Sequence, residues 1–164
     1  MAQDKIYLLT QDAYDQMRKE LNHREQELRP EIVKKIAVAR AEGDLSENGG
    51  YQAAREAQSK NEGRINELTV KLRDSKIITP PAAGTVGNGT LVDLDISGMK
   101  GTYLVGSHDL SIATDETIIS PQSPIGAAIM GHKQGEKVSY AAPNGKTIEV
   151  TIVKAEPYKP QAGK

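Results

Sequence analysis

Two stretches with seam residues at coiled-coil spacing, separated by one short break, constrain this chain more than any other feature. The second stretch alternates steps of three and four without a slip, at Tyr51, Ala54, Gln58, Asn61, Ile65, Leu68 and Leu72. The first keeps that period and then drifts to steps of four, four and three, at Tyr14, Met17, Leu21, Leu28, Ile32, Ile36 and Ala39. This periodicity predicts two long helices. Because the break at Gly43–Gly50 is short, the helices are predicted to pair as an antiparallel hairpin.

Local signals set the expected ends of these helices. Thr10 is predicted to cap the first helix, and Gly43 is predicted to stop it. Pro30 lies inside the first helix, where its missing N–H and its ring predict a kink; the helical stripe resumes directly after it. The capping-box spacing of Asp44 and Glu47 predicts the start of the second helix.

The seam of the second helix changes character along its length. Its base is apolar, with Ile65, Leu68 and Leu72, whereas the half near the break carries small or polar residues. Polar seam residues lower stability but fix the register of paired helices. The distal half of the hairpin is therefore expected to be slim, as suits a probe that enters a narrow space.

The rest of the chain has the pattern of a small sheet. A Pro- and Gly-rich linker at 79–84 precedes short β-type runs, and Ser123-Pro124 predicts the start of a short helix that Gly131 ends. Pro143-Asn144-Gly145 predicts a hairpin turn. The fold class is therefore α+β, with a coiled-coil hairpin domain over 1–79 and a mostly antiparallel β domain with one short helix over 80–160.

Composition excludes several functions. The chain has no cysteine, which excludes disulfides, thiol catalysis and Cys-ligated zinc and fits a cytosolic protein. The net charge is −1 and neither half is basic, so tight autonomous binding to duplex nucleic acid is not expected. No apolar run approaches the length of a membrane span or resembles a signal peptide.

Candidate chemistry is confined to the break between the helices. The three histidines are scattered, and the glycine-rich stretch 84–89 lacks the Gly-Lys-Ser/Thr ending of a phosphate loop. Asp44 and Glu47, with Ser46 and Asn48 as further oxygen donors, could hold a hard cation such as Mg²⁺ if a second protein supplied the remaining ligands. The alternative is purely structural: the two carboxylates only cap the second helix.

Several motifs resemble one known family over almost the whole chain. They are Arg29-Pro30-Glu31-Ile32, the run Ala39 to Asn48 (ARAEGDLSEN), Tyr51-Gln52-Ala53-Ala54-Arg55-Glu56, Glu62-Gly63-Arg64-Ile65, Ser123-Pro124-Ile125-Gly126 and the stretch from Gly131 to Gly135-Glu136. On these residues the chain resembles the bacterial Gre transcript-cleavage factors.

The resemblance implies a coiled-coil hairpin and a globular domain of FKBP-like fold. The globular domain would dock at the rim of the RNA polymerase secondary channel, and the hairpin would reach the active centre, where backtracked RNA has its 3′ end. The factor would stimulate cleavage of that RNA by the polymerase and would not itself be an enzyme. It is expected to be a cytoplasmic monomer without membrane contact, and DNA binding is among the properties carried over with the resemblance.

The resemblance also assigns roles to individual residues. Asp44 and Glu47 would be the catalytic pair, holding one Mg²⁺ jointly with the polymerase. Support for the tip is expected from Ser46, Asn48 and Tyr51. Weak RNA contacts are expected from Arg40, Arg55 and Lys60, and polymerase docking from Ser123, Pro124, Ile125 and Gly126. One departure concerns the rigidity of the tip: most relatives have a glutamate where this chain has Gly50.

Three other functions compete with this one. A regulator of the same shape could occupy the channel and inhibit the polymerase without stimulating cleavage. A peptidyl-prolyl isomerase built on the FKBP-like domain would need a pocket lined by aromatics, yet the chain has no Phe or Trp. A plain coiled-coil scaffold would have no need for carboxylates at its end or for a polar distal seam.

Overall fold

The structure is a computed structural model that describes residues 5–43 and 48–160. Its contacts divide the chain into two compact units. One unit comprises Met1–Tyr7 and Asp15–Ser75, and the other comprises Leu8–Tyr14 and Lys76–Lys164. The division into 1–79 and 80–160 stays a prediction, and the assignment of Leu8–Tyr14 to the second unit has no counterpart in the sequence analysis.

The helical elements follow the predicted order, with one addition. They are α1 (Gln11–His23), a π-helical segment (Arg24–Leu28), α2 (Arg29–Ala41) and α3 (Gly49–Arg73). Thr10 caps α1 as predicted, since its Oγ1 accepts a hydrogen bond from the Ala13 N–H at 3.3 Å. The predicted start of α3 is corrected: its N-cap is Asn48, not Asp44, and Gly49 and Gly50 belong to the helix.

The π-helical segment Arg24–Leu28 explains how helical structure continues past Pro30. The Arg29 N–H donates to the carbonyl of Arg24, five residues earlier, and Pro30 occupies the first turn of α2, where its missing N–H is least costly. A π turn adds one residue to the helical path. The predicted irregularity at Pro30 therefore takes the form of a π segment on its N-terminal side.

The same added residue accounts for the drift of the first seam. The predicted start of the seam is corrected: Met17 is buried, but Ala13 is buried in place of Tyr14, and Leu21 is only partly buried. Steps of three and four from Ala13 and Met17 lead to Glu20 and Arg24. Continued unchanged, that series would reach Glu27 and Glu31, which are exposed. The structure instead buries Ile32, Ile36 and Ala39. We infer that the π segment advances the buried stripe by one residue and brings the apolar positions of α2 onto the seam.

Contacts across the helices confirm the antiparallel hairpin. Glu20 pairs with Arg64 at 2.8 Å, and Arg24 donates to Asn61 at 3.0 Å. Nearer the break, Ile32 and Ile36 form a cluster with Ala54 of α3. Residue numbers rise along the first arm as they fall along the second, which defines antiparallel pairing.

A bidentate ion pair also joins the two arms. Arg29 donates from Nε and Nη2 to the two carboxylate oxygens of Glu62, at 2.9 and 2.7 Å. The hydrogen bonds from Arg29 lower the pKa of Glu62 below its usual value. Both side chains are 42% exposed, so solvent screens the pair and its main effect is on geometry.

The second unit is built on a five-stranded sheet of the predicted, mostly antiparallel kind. The chain forms strands β1 (Tyr7–Leu9), β2 (Ser75–Ile77), β3 (Thr90–Ile96), β4 (Met99–Val105), β5 (Thr117–Ile119), β6 (Lys137–Ala141) and β7 (Thr147–Pro157). The sheet order is β5-β4-β3-β7-β6, and β1 pairs with β2 separately. Only the β4–β5 pair is parallel among the pairings of the five-stranded sheet within the described residues.

One apolar core covers a face of this sheet. Its buried members are Val86, Val92, Leu94, Val105, Ile119, Ile129, Val150, Ile152 and Ala155. Three partly buried residues of the β6–β7 hairpin also pack against it, namely Val138, Tyr140 and Ile148. A further bond anchors the end of the strand series: Tyr158 donates its hydroxyl to Asp12 at 2.8 Å. The likeness to the FKBP fold stays a prediction.

A search of the described helices for candidate membrane spans finds none with the necessary length and apolar character.

Candidate functional site at the end of the helical hairpin

The break between α2 and α3 holds the residues that the sequence singles out for chemistry. Asp44, Ser46 and Glu47 lie outside the described residues, so their predicted roles stay predictions. The structure does describe both residues that flank this segment, Gly43 and Asn48. The structure therefore defines the site through the two residues that border the segment 44–47.

The first end is a glycine-terminated helix stop, as predicted. The N–H groups of Glu42 and Gly43 bond back to the carbonyls of Ala39 and Arg40, at 3.2 and 3.5 Å. Gly43 has a φ of +120°, a conformation that residues with a Cβ rarely adopt. The chain thus leaves the axis of α2 at a fixed residue.

The second end is held by Asn48, which makes two bonds with one side chain. Its Oδ1 accepts from the Tyr51 N–H at 3.0 Å and so caps α3. Its Nδ2 donates to the Ala39 carbonyl on the opposite arm at 2.7 Å. Asn48 therefore ties the start of α3 to the end of α2, and the two ends of the 44–47 segment are held together.

Tyr51 reinforces this closure from the first turn of α3. Its half-buried ring packs against the cluster of Ile32, Ile36 and Ala54. The guanidinium of Arg40 lies 5.8 Å from the ring centroid, within the range of a cation–π interaction. The predicted tip support by Asn48 and Tyr51 thus has a physical form, and its effect on function stays a prediction.

The two glycines after Asn48 differ in their surroundings. A Cβ on Gly50 would lie 3.3 Å from the Oδ1 of Asn48, which is a tight contact, whereas a Cβ on Gly49 would meet nothing within 4 Å. The residue at position 50 therefore adjoins the capping side chain. The absence of a glutamate there leaves the Asn48 cap intact.

The three basic residues proposed to contact RNA all have exposed side chains with local partners. Arg40 faces Tyr51, and Arg55 donates to Gln58 at 2.8 Å. Lys60 pairs with Glu56 at 3.4 Å. Surface pairs of this kind are weak, so the cations remain available to an anionic ligand at small cost.

A shallow groove runs beside the break, and the sequence analysis missed it. Its volume is about 540 Å³, and it is lined by Glu31, Lys34, Lys35, Val38, Ala39, Glu42, Gly50, Ala53, Ala54 and Ala57. Val38 is 53% exposed there. The small residues at 50, 53, 54 and 57 agree with the slim distal half that the sequence predicts, although the groove itself was not predicted.

The chemistry of the donor set at the break fits a hard divalent cation, since carboxylate and amide oxygens are its preferred ligands. Among residues 5–43 and 48–160, no cluster of three His, Asp or Glu side chains could hold a metal. Asn48 was predicted to be a further oxygen ligand of the cation, but its Oδ1 already accepts the hydrogen bond that caps α3. A Mg²⁺ ion held by Asp44 and Glu47 together with ligands from a partner stays a prediction.

The motif proposed for docking forms the short helix α4 (Pro124–Ile129). Ser123 caps it, accepting from the Gly126 N–H at 3.1 Å and donating to the Ser120 carbonyl at 2.6 Å. A Cβ on Gly126 would lie 1.9 Å from the Ser120 oxygen. Ser123 and Gly126 thus have structural reasons to be present, and Pro124 is the exposed member of the motif.

Both units of the chain match models of known protein families. The family model described as transcription elongation factor, N-terminal, matches residues 7–77. The one described as transcription elongation factor, GreA/GreB, C-term, matches residues 81–157. Together the two matches span the helical hairpin and the sheet. The chain belongs to the GreA/GreB family of transcription elongation factors.

Two relatives named transcription elongation factor GreA agree with this assignment. The chain is 44% identical to transcription elongation factor GreA of Streptomyces coelicolor over 159 residues, covering 94% of this chain and 96% of that protein. It is 38% identical to GreA of Mycobacterium tuberculosis over 163 residues, with 96% and 99% covered. A crystal structure of GreA factor homolog 1 (Gfh1) from Thermus thermophilus is 25% identical and covers 93% of this chain and 99% of that one, with a TM-score of 0.44.

Proposed function

We propose that this protein rescues backtracked RNA polymerase by inserting its helical hairpin into the secondary channel and stimulating cleavage of the RNA 3′ end. The observation that carries the proposal is the Asn48 clasp. With its bonds to Tyr51 and to Ala39, it holds together both ends of a segment that contains two acids, Asp44 and Glu47. A clasp of this kind is what a probe needs in order to present a short acidic segment at a fixed place.

The residues of this chain would act by placement. Family membership supports RNA polymerase as the partner, and the acids at 44 and 47 would enter its catalytic centre. When bound there, a Mg²⁺ held jointly with the polymerase would activate water and stabilise the leaving oxygen. The protein contributes ligands and orientation, while the hydrolytic centre belongs to the polymerase.

The partners and location follow from the same proposal. The extruded RNA 3′ end would lie beside the tip, and exposed Arg40, Arg55 and Lys60 would offer positive charge along the hairpin. Docking at the channel rim would use the α4 motif, through its exposed Pro124. The factor would work as a monomer in the cytoplasm, where its polymerase transcribes.

The test is a transcript-cleavage assay on stalled, backtracked complexes with wild-type protein and the double variant Asp44→Asn with Glu47→Gln. These changes keep the size of both side chains and leave the Asn48 cap of α3 unchanged. Wild-type protein is expected to shorten the RNA. The double variant is expected to bind the polymerase equally well and to lose at least about 100-fold in cleavage rate, the scale of loss when an electrostatic group at a reacting centre is removed.

A matched control removes two carboxylates elsewhere on the hairpin. Glu31→Gln with Glu56→Gln makes the same charge change but alters only exposed helix pairs, with Lys35 and Lys60. It is expected to retain cleavage. Equal RNA shortening by wild type and by the Asp44/Glu47 variant would refute the catalytic role, and wild-type inhibition without shortening would favour the inhibitor.

A further inference from the structure

The middle of the hairpin holds a polar layer where a paired-helix seam would ordinarily be apolar. Asn61 is only 4% exposed, yet it bonds across to Arg24 twice. Arg24 donates from Nη1 to Oδ1 of Asn61 at 3.0 Å, and Asn61 donates from Nδ2 to the Arg24 carbonyl at 3.2 Å. The polar layer also includes Glu20, which pairs with Arg64 at 2.8 Å and with Arg24 at 3.6 Å.

This layer coincides with the π-helical segment. Arg24 is the first residue of that segment, and its carbonyl accepts from Arg29 as well as from Asn61. A backbone carbonyl oxygen has two lone pairs, so it can accept both hydrogen bonds at once. Arg24, where the first arm gains its extra residue, is therefore also the residue to which Asn61 of the second arm hydrogen-bonds.

The layer is not an efficient way to stabilise two helices. Within the described part of the chain, the Nε of Arg24 is buried without a hydrogen-bond partner. A buried donor without a partner costs free energy, and apolar replacements of buried polar clusters are often neutral or stabilising. What such a layer supplies is register, because a polar seam residue finds its partner at only one alignment of the helices.

We propose that Arg24 and Asn61 are positioning residues, which lock the axial and rotational register of the two arms and thereby set where the ends of the tip segment meet. The inference rests on the proposed function, since the tip is the part to be positioned. The clasp from Asn48 to Ala39 requires α2 and α3 to be aligned within a fraction of an ångström. Between the polar layer and the break, the described residues that also join the arms are the solvent-screened Arg29–Glu62 pair and the small cluster of Ile32, Ile36 and Ala54.

The test replaces the layer by apolar groups of similar size, Arg24→Met with Asn61→Leu. The thermal midpoint is expected to stay the same or to rise, while the rate of stimulated transcript cleavage falls at least about tenfold. Binding to the polymerase, measured by competition with labelled wild-type protein, is expected to be retained. If the layer served only to stabilise the hairpin, the thermal midpoint of the double variant would fall.

Gln58→Leu is the matched control. Gln58 lies on the same seam of α3, one step nearer the tip, but its side-chain partner is Arg55 on its own helix. The substitution therefore adds the same apolar group without breaking a bond between the arms. This variant is expected to keep both cleavage and register.

Register is measured without the polymerase. The chain has no cysteine, so Lys34→Cys and Ser59→Cys place one spin label on the exposed surface of each arm. Pulsed electron-paramagnetic-resonance distances are expected to be narrowly distributed in the otherwise wild-type chain and in Gln58→Leu. They are expected to broaden or shift in the Arg24/Asn61 double variant.

Each of the other possible results would refute one named part of the proposal. An unchanged narrow distribution in the double variant would refute the register lock, and loss of its helical circular-dichroism signal would make the layer a stability element instead. Broadened distances with undiminished cleavage would refute the positioning role. If wild-type protein itself fails to stimulate cleavage, the proposed function fails, while the label distances still decide the lock.

Discussion

The side-chain amide of Asn48 donates to the backbone carbonyl of Ala39 at 2.7 Å, joining the first residue before α3 to the last turn of α2. The same side chain caps α3 through Tyr51. One residue thus performs a local task and a long-range task. The two tasks are separable by substitution.

Asn48→Ser separates them, because a serine hydroxyl still caps the helix but does not reach the opposite arm as the longer amide does. We expect Asn48→Ala to destabilise the protein by about 1 kcal/mol through loss of the cap, and Asn48→Ser by less. Both variants are expected to lower stimulated cleavage roughly tenfold to a hundredfold, since small misplacement of a reacting group is costly. Urea denaturation and the transcript-cleavage assay measure the two effects. Cleavage at the wild-type rate by Asn48→Ser would show that the clasp is dispensable.

Glycine-to-alanine substitution is expected to have opposite effects at two places. Gly63 lies within α3, and a Cβ added there would meet nothing within 4 Å, so Gly63→Ala is expected to stabilise by about 1 kcal/mol. At Gly126 the new Cβ would lie 1.9 Å from the Ser120 carbonyl oxygen, so Gly126→Ala is expected to destabilise by about 1–3 kcal/mol or more. Denaturation midpoints of the two variants give both signs. A neutral Gly126→Ala would contradict the close approach of α4 to Ser120.

The Arg29–Glu62 pair makes stability depend on pH in a defined direction. Hydrogen bonds from Arg29 lower the pKa of Glu62 from its usual 4.5 in the folded protein. The unfolded chain therefore binds this proton more readily, so the pair stabilises the folded state fully above pH 4.5, and the contribution disappears as pH falls through the folded pKa.

Urea denaturation between about pH 3 and about pH 7 tests this linkage, because that range brackets the usual carboxyl pKa. Glu62→Gln is expected to be less stable than wild type at the upper end of the range and to approach it at the lower end. Glu31→Gln, which removes an exposed carboxylate from an i,i+4 pair with Lys35, is the control for charge alone. A constant difference between Glu62→Gln and wild type across the range would contradict the shift.

Much of the candidate site was predictable because its signals are local. Gly43 ends α2 with a positive φ, which depends on that residue alone. Thr10 and Ser123 cap the helices that begin directly after them. The cap of α3 was assigned wrongly to Asp44, because both Asp44 and Asn48 are good caps by residue type. The choice of Asn48 coincides with its second bond, to Ala39, nine residues earlier in the chain.

By itself, the sequence determined the two paired helices, the β-type runs, the tight turn between β6 and β7 and the short helix α4. Each follows from periodicity or from signals within a few residues, where the chain has few alternatives. Only the tertiary structure decided that Arg24 begins a π segment and that Asn61, 37 residues away, bonds to it. The sheet order and the parallel β4–β5 pair were likewise decided by the tertiary structure. These features depend on contacts between residues far apart in the sequence. The free energy of such contacts cannot be inferred from any short stretch of residues.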